Sequence, residues 1–215
     1  MIEITPFLFG FSMESRFAKP RPFSQQRLDH LLARLIDADN GLALRTEQIH
    51  FRQFDLAFDY ALRASFLGGN GAFVHDAEKF GISVSGGRTG ADARTLAETA
   101  KRFLWSSELS DKEVGMFSVN THARADSKDK RDDFLRGFKT DDRIVGPGTL
   151  GYVRVTEWPE EVRFSIEPSV GVVDSLFLAW NTQFRGDSGF RSVEDLVKML
   201  ESVAEVFGVK FKPLA

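Results

Sequence analysis

The sequence predicts an α+β fold in which a mainly antiparallel sheet carries helices packed on one face. Three observations predict it. Several segments alternate apolar and polar residues with the two-residue period of a strand that has one buried side. Other segments repeat apolar residues at helical spacing. Glycine-rich and proline-containing turns join neighbouring strand segments, which favours antiparallel pairing.

The first half of the chain begins with a predicted strand at about residues 2 to 14, where phenylalanines alternate with smaller or polar residues. Ser24 predicts the start of a helix with leucines at helical spacing, and Asn40-Gly41 predicts its end. An unbroken alternation from Phe54 to Phe66 predicts a long strand with one face in the core. The glycines of residues 68 to 71 predict a turn after it.

A return strand is predicted from Phe73 to Val84, with an interruption near Asp76 to Lys79. Thr89 and Asp92 have the spacing of a capping box, so a helix is predicted from there to Leu104. The first half therefore reads as strand, helix, several strands and helix.

The second half repeats this order. A strand is predicted from Val114 to Ala123, and a helix from Asp129 to Lys139. Three more strands are predicted at about residues 150 to 157, 161 to 167 and 172 to 184. The last predicted helix runs from Ser192 to Phe207 and ends at Gly208.

These elements predict one α+β domain, residues 1–215, made of two similar halves at about 1–110 and 111–215. The order strand, helix, strands, helix, taken twice, resembles the duplicated TATA-box-binding-protein-like fold and, more distantly, the helix-grip fold of lipid-binding proteins. The resemblance covers most of the chain and rests on element order. It implies an architecture, because a shared fold does not fix a function.

Composition and charge exclude several classes of protein. The 215 residues include no cysteine, so disulfides, thiolate nucleophiles and sulfur-ligated metal sites are excluded. The net charge of -3 predicts no broad cationic surface, and hence neither a nucleic-acid nor a membrane partner. No apolar run has the length of a membrane span, and the N-terminus has no basic leader. We therefore expect a cytoplasmic protein.

One motif suggests a ligand. Residues 85 to 92 read Ser-Gly-Gly-Arg-Thr-Gly-Ala-Asp between a predicted strand and a predicted helix, where backbone amides favour an anion. The segment is similar to the Ser-Gly-Gly-Gln-Thr-Gly-x-Asp segment of a Rossmann-like nucleotide-binding family that includes proteins described as molybdenum carriers, although arginine replaces the glutamine. The candidate phosphate-binding residues are Ser85, Gly86, Gly87, Arg88 and Thr89. The alternative, which we favour, is an ordinary capped turn.

The other residues that could suggest metal binding or catalysis are better explained by ordinary structural roles. The four histidines lack metal-ligand spacing, so no metal site is predicted. Asp55 and Asp59 share a predicted strand face with Arg63, and a solvated sheet face explains them better than catalysis does. No nucleophile-elbow motif occurs. The three tryptophans are candidates for partner contact: Trp105, Trp158 and Trp180.

The function predicted from these observations is a non-enzymatic cytoplasmic binding module without a cofactor. Its sheet or sheet edge would receive another protein or a second copy of the chain. The alternative is a protein that binds a small ligand, a nucleotide or phosphate, using the turn at residues 85 to 90 or a cavity between sheet and helices. An enzyme is the interpretation we favour least, because no nucleophile with a base can be named.

Overall fold

The computed structural model describes residues 1–39, 42–54, 56–88, 95, 98, 114–137, 149–154, 161–185 and 193–212. In these ranges the chain forms three α-helices: α1 (Gln25–Ile36), α2 (Lys128–Arg136) and α3 (Val193–Val206). It also forms ten strands: β1 (Ile2–Arg16), β2 (Ile49–Gln53), β3 (Tyr60–Phe66), β4 (Gly71–Asp76), β5 (Lys79–Gly87), β6 (Val114–Ala125), β7 (Thr149–Arg154), β8 (Glu161–Pro168), β9 (Leu176–Arg185) and β10 (Val209–Phe211).

The strands form one sheet in the order β2-β3-β4-β5-β1-β6-β9-β8-β7, and every neighbouring pair along this path is antiparallel. β10 pairs in parallel with the start of β1, from Ile2 to Ile4. The prediction of a mixed fold with a mostly antiparallel sheet is therefore confirmed.

The two-residue period separates the faces of the sheet, as in β8. Val162, Phe164 and Ile166 are fully buried, whereas Arg163 and Glu167, which alternate with them, are exposed. The strand registers bring such buried residues into line across the sheet. One face therefore carries the core.

Each helix contributes side chains to this same core. Ser24 caps α1, since its Oγ accepts a hydrogen bond from the backbone N–H of Arg27 at 3.4 Å. Gly208 follows α3 with a φ of 76°, the left-handed conformation typical of a helix end. The most deeply buried helical residues are Leu35, Leu135, Val203 and Ala204.

The predicted strand from Phe54 to Phe66 is wrong in its first half. β3 begins at Tyr60, and the residues before it form a turn in which the Phe54 N–H donates to the Asp59 carbonyl. Phe54, Leu56 and Phe58 are 54% to 70% exposed. The predicted sheet face shared by Asp55 and Asp59 is therefore wrong for Asp59, which precedes the strand, and Asp55 lies outside the described residues.

Several predicted features lie wholly or largely outside the described residues. These are the helix from Thr89 to Leu104, the turn at residues 158 to 160, and two tryptophans, Trp105 and Trp158. Trp180 is described and is 3% exposed, because it belongs to the core and is not a surface contact. No α-helix in the described ranges is both long and apolar enough to cross a lipid bilayer.

Candidate functional site

The candidate site is the face of the sheet opposite the core, which we call the open face. It is formed by the strand residues that alternate with the buried ones. Across the middle strands it carries small or polar side chains: Gly10, Ser12, Ser83, Ser118, Asn120, Ala179 and Asn181. None of the core side chains of the three helices lies on this side of the sheet. Small side chains leave the backbone within reach of another molecule.

The side chain of Asn120, on β6, lies over Gly10 of the neighbouring strand β1. A Cβ built on Gly10 would be 2.6 Å from Asn120 Oδ1, so the amide occupies the space that a side chain would take. On the other side of β6, the Ser118 hydroxyl donates a hydrogen bond to Asn181 Oδ1 at 2.5 Å. The middle of the open face therefore carries short side chains and many hydrogen-bonding groups.

An aromatic cluster lies at one end of the open face. A shift in register between Pro6 and Leu8 marks a bulge in β1, which turns Phe7 toward β6. The His122 ring centroid is 6.3 Å from that of Phe7 and 5.2 Å from that of Phe177. The guanidinium of Arg124 lies 4.6 Å from the Phe7 ring centroid, a cation–π contact. The cluster combines planar rings with a positive charge.

His122 also contacts a serine, and sequence reasoning missed this pair. Its Nδ1 lies 2.9 Å from Ser169 Oγ, in the loop between β8 and β9. Ser169 Oγ accepts the backbone N–H of Val172 at 2.9 Å, and the Ser169 N–H donates to the carbonyl of Ser175. These bonds fasten the loop to the sheet. A pair 47 residues apart in sequence has no local signal.

At the opposite end, Glu14 of β1 forms ion pairs with Lys79 of β5 at 2.8 Å and with Arg16 at 3.1 Å. The hydrogen bond from Lys79 is the main reason that the pKa of the Glu14 carboxyl lies below its usual range. This carboxylate is therefore neutralised within the face.

Replacing Lys79 with methionine is expected to raise the pKa of Glu14 and to lower the free energy of unfolding at neutral pH by up to about 1 kcal/mol. A lowered folded-state pKa stabilises the fold above the unfolded-state value, and this contribution is lost as the pH falls through the folded-state pKa. Urea unfolding at several pH values would therefore show a difference between variant and wild type that shrinks on acidification and disappears as the pH falls through the lowered folded-state pKa of Glu14.

The control for this ion pair is Arg16→Met, which removes a side chain that is 75% exposed and contributes less to the lowered pKa of Glu14. Its effect is expected to be smaller. A difference between Lys79→Met and wild type that grows on acidification would contradict the argument.

Basic residues without ion pairs lie at the β2 side of the open face. His50 and Arg52 of β2 are exposed, and His50 is paired in register with Arg63 of β3. None of the ion pairs between described residues involves Arg52 or Arg63. Arg52 and Arg63 therefore place positive charge at this side of the open face.

The charge of the described open-face side chains differs in sign from that of the chain. Four are acidic: Glu3, Glu14, Asp76 and Glu167. Seven are basic: Arg16, Arg52, Arg63, Lys79, Arg124, Arg163 and Lys210. The whole chain carries -3, so the remaining surface is more acidic than the total suggests.

Three of the candidate phosphate-binding residues, Ser85, Gly86 and Gly87, lie within β5 and not in a turn after it. Val84 is paired with Phe11 and Gly87 with Phe9, so β5 has one extra residue at this point. Gly86, with a φ of 82°, provides the conformation that such a bulge requires. The Ser85 N–H donates to the Asn70 carbonyl at 2.8 Å. Arg88 follows the strand, and Thr89 lies outside the described residues.

A pocket between α1 and the sheet corresponds to the predicted cavity alternative. It is lined by Phe23, Ser24, Arg27, Leu28, Leu31, Phe51, Tyr60, Leu62 and His75. Burial raises the pKa of the Tyr60 hydroxyl, which donates to the Asp76 carbonyl at 3.2 Å. The space at its centre is about 10 Å³, close to the room that one water molecule needs. This pocket therefore suits a water molecule better than an organic ligand.

No protein-family model matches the chain, and no curated protein matches it.

Proposed function

We propose that this chain is a non-enzymatic, cytoplasmic binding module whose open face receives a partner macromolecule. The observation that carries the proposal is the open face, a sheet surface with small or polar residues at its centre and basic groups without ion pairs at its β2 side. A surface with many hydrogen-bonding groups and reachable backbone suits recognition of another chain. The phosphate-binding and cavity alternatives have less support, because the glycines form a bulge and the pocket is water-sized.

The architecture that we propose for this surface is a duplicated one. β1 and β6 are antiparallel neighbours at the centre of the sheet. Each is followed by a helix and then by strands that return to pair beside it, β5 next to β1 and β9 next to β6. This order supports two similar halves and the resemblance to the TATA-box-binding-protein-like fold. In such an arrangement both halves contribute to the open face.

The test of this function is an open-face substitution with a matched control on a helix. Ser83→Arg places a long charged side chain at the centre of the open face, and Ser202→Arg places the same side chain on α3; both serines are exposed. We expect cross-linking in an extract of the producing cells to give partner adducts with wild type and with Ser202→Arg. With Ser83→Arg these adducts are expected to fall about tenfold, as close approach is blocked.

Thermal unfolding of both variants shows whether the sheet remains intact. Loss of the adducts in both variants, or in neither, while both remain folded would contradict a function located on the open face.

A further inference from the structure

The β2 edge, defined as Ile49–Gln53 together with Arg63, has the properties of a peptide-binding strand edge. In the described part of the chain β2 pairs with one neighbour, β3, and no described strand pairs with the backbone groups on its other side. An extended segment can add to such an edge through main-chain hydrogen bonds. This backbone contact is the first requirement of strand addition.

The two faces of β2 differ in chemistry. His50 and Arg52 are exposed on the open face, beside Arg63. Ile49 and Phe51 alternate with them and are partly buried against the core, so each keeps some exposed apolar surface at the edge. A strand added here would have one face next to basic groups and the other next to apolar groups. Residues of the added strand are therefore selected for charge on one face and for apolar character on the other.

The turn after β2 extends this apolar surface. Phe54 is 57% exposed, Leu56 70% and Phe58 54%. Three large apolar side chains within five residues are unusual for a surface without a partner. The turn is held close to the chain before α1, since the Phe23 N–H donates to the Ala57 carbonyl.

We propose that the β2 edge binds an extended segment of a partner protein in which acidic and apolar residues alternate, and that this segment adds to the sheet as a further strand. The inference rests on the proposed function and specifies its partner. Acidic residues of the segment pair with Arg52 on the adjacent strand and are also attracted by Arg63, two strand spacings or about 9.6 Å from the added backbone. Its apolar residues cover the exposed parts of Ile49 and Phe51.

Charge complementarity favours this occupant over a neutral or basic one. The described open face has more basic than acidic side chains, and the basic groups of the β2 edge lack ion pairs among the described residues. The alternation of basic and apolar residues along β2 favours a peptide over another polyanion. A uniformly charged chain would place charged groups beside the apolar side chains of Ile49 and Phe51.

The experiment titrates the full-length protein into a fluorescent peptide of alternating glutamate and valine, about six residues long. Fluorescence anisotropy measures binding. We expect Arg52→Ala with Arg63→Ala to weaken binding about tenfold. A matched double variant, Lys128→Ala with Lys198→Ala, removes the same charge from exposed helix positions and is expected to bind within twofold of wild type. A peptide of the same composition with its glutamates and valines in separate blocks is expected to bind about tenfold more weakly.

Hydrogen exchange locates the bound peptide. Strand addition is expected to slow exchange of the β2 amides, from Ile49 to Gln53. Binding that protects another part of the open face would overturn the edge inference and leave the proposed function standing. Failure of the wild-type protein to bind the peptide would overturn the edge inference; if Ser83→Arg and Ser202→Arg also leave the partner adducts equally abundant, the proposed function would be overturned as well.

Two other occupants would also overturn the inference. A single-stranded oligonucleotide that binds as tightly and protects β2 equally would show that charge alone is recognised. A dimer in sedimentation of the protein alone that dissociates in the Arg52→Ala and Arg63→Ala variant would make the occupant a second copy.

Discussion

Phe164→Ala is expected to lower the free energy of unfolding by about 3–5 kcal/mol. Phe164 lies in β8 and is fully buried. Its ring centroid is 5.1 Å from that of Trp180 and 5.2 Å from that of Phe207, just beyond α3. The indole N–H of Trp180 donates to the Leu200 carbonyl of α3 at 3.2 Å. Truncation would therefore leave a cavity where the sheet meets the last helix.

Urea unfolding followed by circular dichroism measures this loss. The matched control is Phe177→Ala, because Phe177 lies in β9 on the open face and is partly exposed. Its truncation is expected to cost half as much or less, since less apolar surface returns to water. Equal losses for the two variants would mean that the open face is packed as tightly as the core.

The faces of long strands could be predicted from the sequence because alternation and burial agree there. From Phe9 onward in β1 the predicted period is the observed one, with Phe11 and Met13 buried and Ser12 and Glu14 on the open face. The prediction is wrong for Phe7, because the bulge before Leu8 places its ring on the open face. The same reasoning fails at Phe54 to Phe58, where the alternation continues but the strand does not. Periodicity shows which side a residue would face if the chain were extended, but it does not show where the extended chain ends. The β2–β3 turn is closed by backbone hydrogen bonds, which do not depend on side chains and leave no pattern in the sequence.

β2 and β10 were missed for related reasons. β2 has five residues, and His50, Arg52 and Gln53 among them weaken its apolar signal. β10 has three residues, and its parallel pairing with β1 joins the two ends of the chain. Short strands of this kind are stabilised by tertiary pairing more than by local preference.

The charge of the open face could not be read from composition. Arg63 and Arg124 lie on strands that are far apart in the sequence, and only the pairing from β3 through β4, β5 and β1 to β6 places them on one face. The net charge of -3 predicts no anionic partner, whereas the arrangement leads us to propose an acidic one. Strand register therefore determines which charges a partner meets.

Gly71→Ala is expected to lower the free energy of unfolding by about 1–3 kcal/mol, although alanine is the smallest possible addition. Gly71 begins β4 and is paired in register with Phe66 of β3. A Cβ built on Gly71 would overlap the Phe66 ring, with Cζ 2.7 Å away. Phe66 is 5% exposed, so its ring has little room to move. The cost is steric, because Gly71 is not among the glycines with positive φ.

A double-mutant cycle tests this steric cause by urea unfolding. Phe66→Leu removes the ring from the position that the new Cβ would occupy, at the cost of some core packing. In the double variant, Gly71→Ala is expected to cost less than about 0.5 kcal/mol beyond Phe66→Leu, because the clash no longer exists. Additive losses would place the cost of Gly71→Ala in the β4 backbone and not in the contact with Phe66.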